Sequence, residues 1–187
     1  YVNKNMTLEE FKYIFWWEWF HRFFARLIGV VFAIPFFYFL YKKYFNIYLY
    51  KRFAIIFTLG LFQAFIGWWM VKSGLVNDPY VSPYRLTFHL TNAVIIYSFL
   101  LWTCIEYYHL KNLGFISFFK TREFWIFISV ILVFITIMSG GFMAGSDAGQ
   151  SFNTYPLMNG KIIPDDIYLE DLGMLNAFEN TVTINFN

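Results

Sequence analysis

Charge is what this sequence has least of. Asp, Glu, Lys and Arg make up 14% of its 187 residues, where a soluble globular domain carries about 25%. So few charged side chains do not cover a water-facing surface. Those present nearly cancel, at +2, and neither a basic run nor an RNA-binding signature appears, so nucleic acid is excluded as a partner. Cysteine occurs once, at Cys104, which rules out an internal disulfide; lying in an apolar run, it says nothing of redox compartment. No signal-like segment precedes the polar lead-in around Met6, and Asn187 ends a polar stretch that closes nothing. The sequence therefore reads as an internal piece of a longer membrane protein.

What fills the space is apolar: 59% hydrophobic residues and 25% aromatic. A helix needs roughly 20 apolar residues to cross the hydrocarbon, and four stretches qualify. Residues 53–71, "FAIIFTLGLFQAFIGWWMV", and 124–146, "FWIFISVILVFITIMSGGFMAGS", contain no charge. Residues 86–108 begin "LTFHLTNAVIIYSFLLWTCI", in which His89 stands out as the ionisable group. The first span is shorter in apolar length, with "LIGVVFAIPFFYFLY" at 27–41, and reaches membrane length only as 15–41, with the Glu18–Arg26 region already helical. Pro35 should bend that helix without ending it, because neighbouring helices can satisfy the freed carbonyl. The predicted fold is all-α, a polytopic transmembrane bundle running up and down.

Short basic connections set the orientation. Lys42, Lys43, Lys51 and Arg52 lie in 42–52, and Lys111, Lys120 and Arg122 in 106–123, so both connections should face the negative side of the membrane. The opposite side receives 1–20, 72–85 and an acidic 147–187 with Asp147, Asp165, Asp166, Glu170, Asp171 and Glu179. Trp16, Trp17, Trp19, Trp68 and Trp69 fall at the same outer interface, where indoles prefer to sit.

This topology gives two histidines one depth. His21 lies near the outer end of the first span and His89 just inside the outer end of the third, and both helices descend. Ionisable groups in spans face a bundle interior or a cavity, and paired imidazoles on facing helices are how bundles hold heme iron. Glu18 shares a helix face with His21 at i, i+3. Arg85 is four residues ahead of His89, and Arg22 and Arg26 form an i, i+4 pair beside His21. Guanidiniums shallower than imidazoles would suit a heme whose propionates point to water. Each residue also has a plainer reading: a hydrogen-bonded packing histidine, or an arginine anchored on phospholipid headgroups. His109 lies at the basic side and is assigned to a surface loop; Met70, Met138 and Met143 are read as packing residues. Gly60, Gln63 and Gly67 make a small stripe, and Gly141 with Gly145 a GxxxG. Gln63 in mid-membrane wants a partner, as part of the pocket or as interhelical glue.

Four segments together resemble the heme A synthases of alphaproteobacterial and mitochondrial type: "EFKYIFWWEWFHRFFARLIG", "FQAFIGWWMVKSGL", "VSPYRLTFHL" and "MAGSDAGQSFNTYPLMNGKIIP". The resemblance runs over nearly the whole chain in family order. It implies membrane enzymes of eight helices in two pseudo-symmetric four-helix halves, which oxidise a methyl group of heme O to the formyl group of heme A for cytochrome oxidase. It implies heme O as substrate on the Glu-x-x-His-Arg side, with Glu18, His21 and His89 as functional residues; together with the residue reading above, His21 and His89 are expected as axial ligands of the heme iron and Arg22, Arg26 and Arg85 on the substrate heme. A permanent heme b would be held by a second histidine pair beyond this chain. By that pattern 15–41, 53–71 and 86–108 correspond to family helices two to four, and 124–146 to the segment opening the second half. Residues 1–146 are then the substrate-heme part of the bundle. Residues 147–187 are an outer-side loop leading toward the heme b half, with "NAFENTVTINFN" running into the next histidine.

The implied partners are the lipid bilayer, heme O and its synthase, an electron donor and, indirectly, cytochrome oxidase; homo-oligomerisation is left open. The implied location is a mitochondrial inner membrane or bacterial plasma membrane, with His21 and His89 near the intermembrane-space or periplasmic side. Two other classes compete. A bis-histidine electron-transfer bundle needs no catalytic carboxylate and leaves its heme unchanged. A transporter or assembly scaffold would tolerate loss of either histidine.

Overall fold

A computed structural model describes residues 6–74, 81–109, 121–152, 154 and 157–186. Four long helices dominate: α1 (Leu8–Tyr41), α2 (Ile47–Gly74), α3 (Pro83–His109) and α4 (Thr121–Gly145). All four are long and apolar enough to cross a membrane. Two short helices, α5 (Asn176–Glu179) and α6 (Thr181–Phe186), close the chain. Among the described residues the only strand-like feature is an isolated antiparallel bridge between Met158 and Lys161. The all-α expectation holds.

The chain divides into two compact units, residues 1–62 and 63–187. In the first, α1 starts on a capping box. The Thr7 hydroxyl accepts from the Glu10 N–H at 3.3 Å, and the Glu10 carboxylate accepts from the Thr7 N–H at 2.8 Å. Two otherwise orphaned donors are satisfied reciprocally, and Glu9 and Glu10 complement the positive helix end. The helix runs unbroken through Pro35. It stops at Lys42, after which Lys43 adopts the left-handed region, with φ 56. Asn46 then caps α2 by accepting from the Leu49 N–H at 2.8 Å. The hairpin is held by rings: Phe57 lies 6.4 Å from Phe32 and 5.4 Å from both Phe36 and Phe37, and Phe45 stacks near Phe53 at 5.2 Å. Phe36 is left 6% exposed. In lipid such contacts act through close packing, since the tails are as apolar as the side chains.

The helices begin earlier than the hydropathy pattern predicts. Lys51 and Arg52, expected in a loop over 42–52, lie in the opening turns of α2, which reduces that connection to Lys42–Asn46. Helical hydrogen bonding does not require apolar side chains, and long cationic side chains can reach the headgroups from a helix end. The Arg52 guanidinium lies 4.7 Å over the Tyr48 ring. His109, assigned to a surface loop, is instead the last residue of α3. Of the other basic connection, Lys111 and Lys120 lie outside the described residues, and Arg122 is in the first turn of α4.

In the second unit α3 and α4 approach closely at two glycines. A Cβ on Gly141 would sit 2.9 Å from Thr87 Oγ1, and one on Gly145 2.7 Å from Pro83 Cα. The GxxxG pair is therefore a helix contact, as small residues in membranes allow. Gly60, predicted to share the stripe of Gln63 and Gly67, meets nothing within 4 Å.

Residues 147–187, predicted as a loop, are built from short helical turns at 148–150, 165–167 and 170–175 followed by α5 and α6. Two asparagines hold them. Asn176 accepts from the Leu169 N–H at 2.8 Å and donates to the carbonyls of Leu169 and Gly173 at 2.8 and 2.7 Å; Asn180 donates to the Asp166 carbonyl at 2.8 Å. They are 5% and 4% exposed, and their amides satisfy backbone groups that the irregular path leaves unpaired. Asn159 and Gly160, both at positive φ, make the tight turn that lets Met158 and Lys161 exchange hydrogen bonds. The layer docks on the helix ends. Tyr84 donates to the Glu179 carboxylate at 2.9 Å, and Phe142 packs against both Tyr84 and Phe178.

Candidate functional site

Glu18, His21, Arg22 and Arg26 all lie on α1 in the first unit, and all are exposed there. Glu18 takes Arg22 as its partner, with Oε2 accepting from Nη2 at 3.0 Å across one helical turn. No hydrogen bond joins Glu18 to His21 among the described residues. The i, i+3 relation puts both side chains on one face, but the carboxylate turns to the guanidinium at i+4. Aromatic rings pair with one another along the same stretch of α1. Trp16 approaches Trp19 edge-on at 5.7 Å, and Trp19 stacks on Phe23 at 5.3 Å and 7°.

His21 lies twenty residues before Tyr41, the last residue of α1. At a rise of about 1.5 Å per residue this is about 30 Å, one hydrocarbon thickness. α1 continues for thirteen residues on the other side of His21, to Leu8, and so outreaches the bilayer core.

His89 lies in the second unit, also twenty residues before the end of its helix at His109. Its surroundings are polar and built. The Gln63 side-chain amide approaches His89 Nε2 at 3.3 Å and donates to the His89 backbone carbonyl at 3.0 Å. Asn92, 6% exposed, donates to Gln63 Oε1 at 2.7 Å. Gly67, one turn beyond Gln63 on α2, lies beside the ring: a Cβ there would be 3.1 Å from His89 Cε1. The imidazole can occupy this position because residue 67 has no side chain. Gln63, which the sequence left in need of a partner, has two.

Arg85 stands one turn above His89 on α3. Its guanidinium lies 4.2 Å over the Trp69 ring and donates to the Trp69 carbonyl at 3.0 Å. One of five guanidinium N–H groups is committed, and stacking on an indole holds the plane of the fork. Sequence reasoning had Trp69 as an interface residue and missed this pairing, along with the role of Asn92. The available signal for Asn92 was its i+3 spacing from His89.

Among the described residues no three His, Cys, Asp or Glu side chains cluster as a metal site would need. A porphyrin asks less of the protein, because it supplies four nitrogens and leaves one axial position for each of two histidines. His89 is partly buried, with the Gln63 amide nitrogen 3.3 Å from its Nε2.

A family model described as cytochrome oxidase assembly protein matches residues 1–187. The heme A synthase of Nitrosospira multiformis is 45% identical over 188 residues, covering 100% of this chain and 52% of that protein. That of Nitrosomonas eutropha is 43% identical over 190 residues, covering 100% and 53%. That of Arabidopsis thaliana is 44% identical over 194 residues, covering 98% and 42%. The chain spans about half the length of the curated relatives it matches. No solved structure matches it.

Proposed function

Since this chain belongs to the cytochrome oxidase assembly protein family, we propose that it is the substrate-heme part of a heme A synthase, oxidising a methyl group of heme O to the formyl group of heme A. Residues 1–146 form the membrane bundle of that part, and 147–187 lead toward the remaining half. The helix ends with Lys42 and Lys43 face the cytoplasm or mitochondrial matrix, and the α5–α6 layer faces the periplasm or intermembrane space. The observation that supports the reading is the matching position of two histidines along their own helices. Each lies twenty residues before the C-terminal end of its helix, and a guanidinium stands one turn before the second, over the Trp69 ring.

In this reading His21 and His89 would hold heme O iron, Arg22 and Arg85 would bind its propionates, and Arg26 would lie on the substrate heme. Oxidising an unactivated methyl group is beyond amino-acid side chains, and the heme iron supplies that chemistry when bound. The residues of this chain position the ring. Arg85, held flat on Trp69, keeps most of its donors for a carboxylate at the wet end. Glu18 is the carboxylate nearest His21 in sequence and serves the reaction at the methyl group by accepting a proton or orienting the oxidised carbon. It is paired with Arg22 at 3.0 Å across one helical turn. The resident heme b belongs to the half beyond this chain. With His21 and His89 engaged by substrate, only His109 is left, at the opposite end of α3 from the site, and one histidine does not make a second axial pair. The electron donor and the heme O synthase act as partners of the full-length protein.

The test is the pigment extracted from membranes containing the full-length protein. Wild type should yield heme A from heme O, and His21→Ala and His89→Ala should yield heme O alone. Unchanged heme in the wild type, with a reversible redox spectrum, would point to an electron carrier instead.

A further inference from the structure

The turn between α1 and α2 puts a cation where the backbone favours glycine. Lys42 caps α1, and Lys43 follows in the left-handed region, with φ 56. The Lys43 N–H donates to the Leu40 carbonyl at 3.1 Å, and the Tyr44 N–H to the Phe39 carbonyl at 3.0 Å. With the Tyr44 ring 6.1 Å from that of Phe39, these bonds make a Schellman motif, whose left-handed position ordinarily belongs to glycine. A lysine there strains the backbone. The far side of the turn is fixed as well. Asn46 accepts the Leu49 N–H on its side chain at 2.8 Å and the Tyr50 N–H on its backbone carbonyl at 2.9 Å. Lys51 lies one turn into α2.

We propose that Lys42, Lys43 and Lys51 form a binding site for the headgroup of an anionic phospholipid. All three side chains are exposed. The hairpin itself offers them no counterion: the sequence has no acidic residue between Glu18 and Asp78, and Glu18 lies about 36 Å back along α1 at the helical rise. Three like charges around one rigid turn repel one another, and a phosphate relieves that repulsion. The depth is also right. The turn joins the ends of two helices long and apolar enough to span, and its tyrosines, Tyr41 at 82% and Tyr44 at 68% exposed, are the residues that sit at headgroup level. The Lys42 ammonium lies 5.9 Å from the Tyr41 ring. A lipid fits better than a free anion, because Phe37, Tyr38 and Leu40 are exposed on the adjoining turn of α1 and offer acyl chains an apolar seat. Bonds that fix the turn in advance reduce the ordering cost of binding. The proposal stands independently of the heme reading, and its test needs no pigment.

Native mass spectrometry of the full-length protein in detergent, titrated with dioleoyl phosphatidylglycerol or with dioleoyl phosphatidylcholine, tests this. Wild type should retain the anionic lipid in preference to the zwitterionic one. Lys43→Gly separates charge from fold, since it relieves the strained turn while removing one ammonium. Its affinity for phosphatidylglycerol should fall about fivefold, the factor for one lysine at an anionic membrane surface, while its lipid-free thermal midpoint does not fall. Lys42→Gln and Lys51→Gln should each lose a similar factor, and the triple variant more than any single one. Lys161→Gln, in the outer layer and paired with Asp165, should bind lipid as wild type does. The proposal is overturned if Lys43→Gly and the triple variant keep wild-type affinity, or if phosphatidylcholine is retained equally well. It is overturned too if Lys161→Gln loses as much as Lys43→Gly, which would make the effect one of net charge. Inorganic phosphate raising the thermal midpoint as far as the lipid does would replace the lipid site with one for free anions.

Discussion

Two residue-scale changes separate chemistry from architecture. The Glu18–Arg22 pair is exposed, with 61% of the carboxylate side chain and 50% of the guanidinium side chain accessible, and pairs of this kind add little to stability. Glu18→Gln should therefore leave the thermal midpoint of the full-length protein within about 1 °C of wild type, because surface changes of this kind are nearly neutral. If Glu18 acts on the substrate, heme A formation should fall by more than about tenfold, the smaller end of a general acid–base contribution, with heme O still bound. Near-normal turnover would reduce Glu18 to an orienting group. Gly67→Ala tests the other side. Its new Cβ at 3.1 Å from His89 Cε1 must tilt the ring, so heme O affinity should fall several-fold with little change in protein level, read by titration. A Cβ on Gly60 meets nothing, so Gly60→Ala serves as the control and should bind normally.

At the scale of elements, the approach of α3 and α4 depends on two missing side chains. Gly145→Leu should separate the outer ends of these helices, since even a Cβ there lies 2.7 Å from Pro83 Cα, and backbone cannot yield as a side-chain tip can. Detergent-solubilised protein should melt lower, by an amount set by an overpacking cost of about 1–3 kcal/mol. Gly140→Leu, one residue from the contact and facing open space, should not. Of this contact the GxxxG spacing was legible in sequence, because i and i+4 share a helix face whatever the fold. Which helix it would meet was not legible, since small residues admit any neighbour. The same distinction explains the Gln63–Gly60 stripe, which is one stripe by periodicity and two environments in space.

At the scale of the molecule, the asymmetry of charge predicts a sidedness that can be measured. In a Cys104→Ser background, Ile162→Cys, exposed in the outer layer, should react with an impermeant maleimide added on the periplasmic or intermembrane-space side. Tyr44→Cys, in the turn after α1, should react only after the membrane is opened. The reverse pattern would invert the topology. The layer itself hangs on Asn176, whose amide serves three backbone groups. Asn176→Ala leaves them unpaired at a cost of about 1–3 kcal/mol each where water cannot replace it. Limited proteolysis within 157–186 should then speed up many-fold.

Sequence by itself determined the all-α membrane class and the four spans. These follow from hydropathy, charge and helical rise, which are local properties that no packing partner alters. It also marked Gln63 as a residue in need of a partner, because a lone amide in hydrocarbon is too costly to leave unmet. Only the tertiary structure decided who meets it. The pairing of Gln63 with His89 and Asn92, the seat of Arg85 on Trp69, and the fastening of the outer layer by Asn176 and Asn180 all join residues brought together by helix contact or an irregular chain path. Hydrogen bonds of this kind depend on distances of a few tenths of an ångström, and no pattern along one chain encodes these.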